Sequence, residues 1–85
     1  MGHDALAAVA AVVLQHVRNA GGAIAEGELL VALPTYLDAA EVRLLQMEVN
    51  RHAGFALELQ HRPGERRVGV RRAAPPRRVS YGRRP

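Results

Sequence analysis

Behind Asp4, apolar side chains recur at Leu6, Val9, Ala10, Val13, Val17 and Ala20, one side of a helix at 3.6 residues per turn, while Gln15 and Arg18 fall on the other side. Asp4 suits the N-cap, and Asn19-Ala20-Gly21-Gly22 supplies the glycine on which helices commonly end. Ala23-Ile24-Ala25 is short and extended in character, enough for one brief strand. Glu26 to Leu33 then sets Leu29, Leu30 and Leu33 at helical spacing, and Pro34 stops that second helix. Asp38-Ala39-Ala40-Glu41 has the form of a capping box, which predicts a third helix from Ala39 to His52 with Gly54 beyond its end.

From Phe55 the period changes. Phe55, Leu57 and Leu59 alternate with polar residues, Pro63-Gly64 suits the centre of a type II turn, and a shorter alternation resumes at Val68 and Val70, so the stretch FALELQHRPGERRVGV predicts a β-hairpin. The remainder, AAPPRRVSYGRRP, has no apolar periodicity and holds three of the five prolines, which predicts a disordered tail over 73–85 behind one domain at 1–72. The fold class expected is mostly α with a small β-hairpin. Its order of helix, strand, helix, tight connection, helix and hairpin, carried by GGAIAEGELLVALPTYLDAAEVRLLQMEVNRHAGFALEL and its continuation to Val70, resembles the winged helix-turn-helix family over residues 4–72. The resemblance rests on element order and spacing. It implies the layout H1-S1-H2-H3-S2-wing-S3, a third helix in the DNA major groove, and a wing on the backbone or in the minor groove.

Composition narrows the classes. Eighty-five residues suffice for one domain with a modest core, and the apolar side chains are nearly all Ala, Val and Leu. With only Tyr36, Phe55 and Tyr81 aromatic, a sheet that stacks RNA bases is disfavoured. The absence of cysteine excludes disulfides and thiolate metal sites. The longest apolar run, Ala5 to Leu14, falls well short of the roughly 20 residues a membrane helix needs. Met-Gly-His-Asp opens with an acid rather than the positive segment of a secretory leader, and Leu6 stands where a myristoylation motif wants Ser or Thr. A cytoplasmic protein is expected.

Charge is divided along the chain. Residues 1–62 carry four arginines against seven acids, whereas residues 63–85 carry eight arginines against Glu65, and all twelve basic residues are arginine. Arginine presents a planar fork that grips phosphate and carboxylate. On the third helix Arg43, Gln46 and Asn50 share a flank and are of the types that reach guanine or adenine edges. Arg62, Arg66, Arg67, Arg71, Arg72, Arg77, Arg78, Arg83 and Arg84 could neutralise phosphates from the wing and tail without reading sequence. DNA is the expected partner, and a small regulator or a DNA-architecture or recombination accessory factor the expected role.

One feature of the same helix opposes that reading. Ala40, Leu44 and Met47 line up with Arg51, an apolar stripe where a groove-reading helix presents polar groups, and Glu41 and Glu48 lie close by. Such a stripe is either covered by the rest of the chain or offered to a protein, as in a symmetric dimer or a dock for an acidic partner without DNA binding. Enzyme chemistry, metals and cofactors are not expected. His3, His16, His52 and His61 lack metal-ligand spacing, no Gly-x-Ser-x-Gly is present, and Gly21-Gly22 lacks the lysine of a phosphate loop. Arg77-Arg78-Val79-Ser80 resembles a basic-directed kinase substrate, where phosphate would offset part of the tail's charge.

Overall fold

In the computed structural model, whose described residues are 2–21, 24 and 27–73, the chain runs α1 (His3–Ala20), β1 (Leu29–Ala32), α2 (Ala39–Ala53), β2 (Leu57–His61) and β3 (Arg67–Arg72). The periodicity of α1 places Val9, Ala10, Val13 and Val17 in the core. Its N-cap is Gly2 with no side-chain cap, and Asp4 sits inside the first turn, where its charge still suits the helix dipole. Asp38 caps α2 through a full capping box: Glu41 N–H donates to Asp38 Oδ1 at 2.8 Å, and Asp38 N–H donates to Glu41 Oε1 at 3.0 Å. The helix runs one residue beyond the expected His52 and closes on Gly54 at φ 82°, a left-handed position that glycine adopts without strain.

The layout differs from the one expected at Glu26–Leu33. Instead of a second helix, Leu29–Ala32 forms a strand paired antiparallel to β3, with Leu30 opposite Gly69 and Val31 opposite Val68. Two helices and a three-stranded antiparallel sheet of order β1-β3-β2 replace the winged-helix arrangement of three helices and a wing. The physical reason lies in the run Leu29-Leu30-Val31-Ala32-Leu33, five consecutive apolar residues that fit a period of 2 as well as 3.6. As a strand it sends Val31 and Leu33 into the core with Leu29 half-buried, and leaves Leu30 and Ala32 outside. It also pairs the hairpin strand β3 on its second side, which no local periodicity records. Of the brief strand expected at Ala23–Ala25, Ile24 is a buried core residue outside the sheet, and Ala23 and Ala25 lie outside the described residues.

The hairpin forms as its alternation predicts from Leu57 onward, with Leu57, Leu59, Val68 and Val70 buried, although Phe55 precedes the strand and is exposed. Glu65 N–H donates to Arg62 O at 3.1 Å across the turn, and Gly64 takes the positive φ of 78° that its third position requires. Both helices pack on one face of the sheet around Val13, Val31, Leu45, Val49, Leu57, Val68 and Val70, all nearly inaccessible to water. Each such side chain contributes about 1.5–3 kcal/mol by leaving water. The tail expected at 73–85 lies outside the described residues except for Ala73, whose N–H donates to Ala56 O at 3.1 Å. No helix among the described residues is long and apolar enough to cross a membrane.

Candidate interaction surface

The polar flank of α2 turns inward to the sheet. Since Ala73 bonds to Ala56, the residues of β2 that face β3 are Glu58 and Gln60, which leaves the main-chain groups of Leu57, Leu59 and His61 pointing off the sheet edge. Asn50 meets Leu57 with both halves of its amide: Nδ2–H donates to Leu57 O at 3.0 Å, and Leu57 N–H donates to Oδ1 at 2.6 Å. One turn earlier on α2, Gln46 Oε1 accepts Leu59 N–H at 2.9 Å. His61 Nε2 carries a proton and donates it to Leu37 O at 3.0 Å, tying the strand to the loop before α2. Thus two of the three residues expected to read base edges, Gln46 and Asn50, are joined to the sheet, and Arg43 alone of the three is exposed.

The described arginines of the hairpin also find partners within the chain. Arg62 pairs with Glu28, which lies across Gly69 on the outer face of the sheet. Arg67 bonds through Nε to Glu65 at 2.8 Å, and Arg71 through Nε to Glu58 at 2.7 Å. Arg66 lies over the Tyr36 ring at 5.9 Å and Arg72 over the Phe55 ring at 4.4 Å. Exposed ion pairs contribute about 0–1 kcal/mol each, so a phosphate could displace these carboxylates. What they change is the field: three of the five hairpin arginines, Arg62, Arg67 and Arg71, are each paired with a glutamate where a basic wing was expected. Over residues 1–73 eight arginines meet eight acids, and the whole excess of +4 belongs to Arg77, Arg78, Arg83 and Arg84, outside the described residues.

The apolar stripe of α2 is open to solvent. Leu44 is 54% and Met47 65% exposed, and with Leu6 of α1 they line an open groove bordered by Glu48 and Arg51. Ala40 is exposed one turn before Leu44. Arg51 donates twice to Glu48, at 2.8 and 2.7 Å, and His52 Nε2 stands 3.3 Å from the same carboxylate. The hydrogen bond from Arg51 holds the Glu48 carboxyl below its ordinary value of 4.5, partial burial opposes the shift, and the charge of Arg51 and then His52 add to it. The border is therefore a fixed ion pair beside an apolar floor. His52 and His61, bonded to Glu48 and Leu37, do not converge, and no group of three or more His, Cys, Asp or Glu among the described residues is placed to hold a metal.

Sequence reasoning singled out Gln46 and Asn50 for their type and missed the edge strand that takes them. Their spacing of four carried the signal, since two amides one turn apart on a helix suit a strand running beside it. No family model matches the chain, nor does any curated protein or solved structure.

Proposed function

We propose that this chain is a protein-interaction module that docks a partner on the groove between α1 and α2, with Leu6, Leu44 and Met47 as the apolar contact. The observation that carries this reading is the division of labour on one helix: Gln46 and Asn50 are spent on the β2 edge, while Leu44 and Met47 stand in water. An α2 that read DNA would need the reverse. The partner that fits supplies apolar side chains to the groove and acidic groups to the arginines of 74–85, which carry the excess charge.

A second reading keeps nucleic acid as the partner, favoured by the same four tail arginines, and limits it to phosphate contacts without base reading. Two variants separate the readings. Leu44→Asp places a charge in the groove and should abolish a complex with a defined, stoichiometric protein partner while leaving duplex DNA binding unchanged. Charge reversal at Arg77 and Arg78 should weaken DNA binding and its salt dependence if the second reading holds. A wild-type chain that binds random duplex tightly with a steep salt slope, and a Leu44→Asp chain that loses no protein partner, would together overturn the docking proposal.

A further inference from the structure

The two edges of the sheet are treated unequally, and the difference points to a second copy of this chain. Leu33 N–H donates to Arg66 O, so with the register of β1 on β3 the main-chain groups of Leu29, Val31 and Leu33 face β3, and those of Leu30 and Ala32 face away from the sheet. Along the β2 edge, both outward groups of Leu57 are met by Asn50 and the N–H of Leu59 is met by Gln46. Along the β1 edge, no group among the described residues bonds to the N–H or C=O of Leu30 or Ala32. Natural sheet edges are commonly blunted by a charge, a proline or a bulge. Leu29 to Leu33 has none of these, and Leu30 adds an apolar side chain 43% exposed beside the bare edge.

We infer that β1 pairs antiparallel with β1 of a second copy about a two-fold axis through Val31. In this register Val31 faces its own counterpart, and Leu30 of each copy faces Ala32 of the other. Leu30 and Ala32 form the two closely bonded pairs, so all four outward N–H and C=O groups of each copy are satisfied at once, a self-complementarity a two-fold interface requires. The segment is uncharged, so like charges do not face each other across the axis, and the outer-face pairing of Leu30 with Ala32 covers apolar surface. The product is a continuous six-stranded sheet with both outer ends formed by β2 edges that Asn50 and Gln46 already occupy at Leu57 and Leu59, which disfavours assembly beyond the dimer. So short a contact gives a weak, reversible dimer.

The inference is independent of the α1–α2 groove, and Leu44→Asp should leave the dimer intact. The test is sedimentation equilibrium of the full chain across a concentration series, with Ala32→Pro beside the wild type. Proline at 32 removes an N–H that bonds to no group among the described residues, a position edge strands accept. The wild type should move from monomer to dimer mass as concentration rises, and Ala32→Pro, with an unchanged circular dichroism spectrum, should remain monomeric. A wild type that is monomeric at millimolar concentration, or an Ala32→Pro chain that dimerises equally, would overturn the inference. Amide hydrogen exchange of the wild type covers the case in which the proline variant does not fold. Protection at Leu30 and Ala32 should rise with concentration, whereas fast exchange at all concentrations, or protection independent of concentration as an occupant from the same chain would give, would overturn it.

Discussion

Replacing Asn50 with alanine tests whether the residue belongs to the fold or to a ligand. Leu57 is 1% exposed, so its N–H and C=O lie out of reach of water, and both are satisfied by the Asn50 amide at 2.6 and 3.0 Å. The cost is that of two buried polar groups left without partners and not that of two exposed hydrogen bonds. A buried unsatisfied group costs about 1–3 kcal/mol. Water entering the space left by the amide recovers part of this, since Asn50 is itself half-buried, so a total of about 2–3 kcal/mol is expected for Asn50→Ala. Equilibrium urea unfolding followed by circular dichroism measures it: with a slope of about 1 kcal/mol per molar, usual for a small domain, the midpoint should fall by about 2–3 M. Arg43→Ala, on the same flank but exposed, should move the midpoint little. An Asn50→Ala midpoint within about 0.5 M of wild type would show that the amide is not holding β2, and would return Asn50 to the set of side chains available to a ligand.

Other residues give smaller, distinguishable effects. Asp38→Ala removes the oxygen that accepts Glu41 N–H and should destabilise the chain by about 1 kcal/mol in the same assay. Gly69→Ala sets a methyl where the Glu28 carboxylate lies, and because that group is the end of a flexible side chain it should swing away from Arg62, at a cost no greater than the ion pair, about 1 kcal/mol or less; Gly69→Ala in a Glu28→Ala background should then cost nothing further. The depressed Glu48 carboxyl contributes stability that is full above its unfolded value of 4.5 and is lost as pH falls through its lower folded value, so Arg51→Ala should flatten the melting temperature's dependence on pH below 4.5.

Much of this fold is legible in the sequence where one periodicity and one boundary signal agree. The capping box at Asp38 and Glu41 and the left-handed Gly54 fix α2 almost to the residue, and the Pro63-Gly64 turn fixes the hairpin. Leu29 to Leu33 was not legible, because an apolar pentapeptide satisfies either period and its state is settled by β3, more than thirty residues further along the chain. Pairing with a different element likewise hides the roles of Gln46, Asn50 and Arg62: residue type identifies what a side chain can bond, and the neighbour in the fold decides what it does bond. Leu44 and Met47 were legible as a stripe, and only the packing of α1 and α2 shows that the stripe is left in water.

Whether α2 turns its polar flank to its own sheet and its apolar side to partners is tested most directly by following the amide resonances of the isotopically labelled chain while duplex DNA of random sequence is added at low salt. The side-chain amides of Gln46 and Asn50 should keep their positions and their slow solvent exchange, with any perturbation confined to residues 74–85. Large shifts of those two amides, together with Arg43, would place the nucleic acid on α2 and contradict the docking surface proposed for this helix.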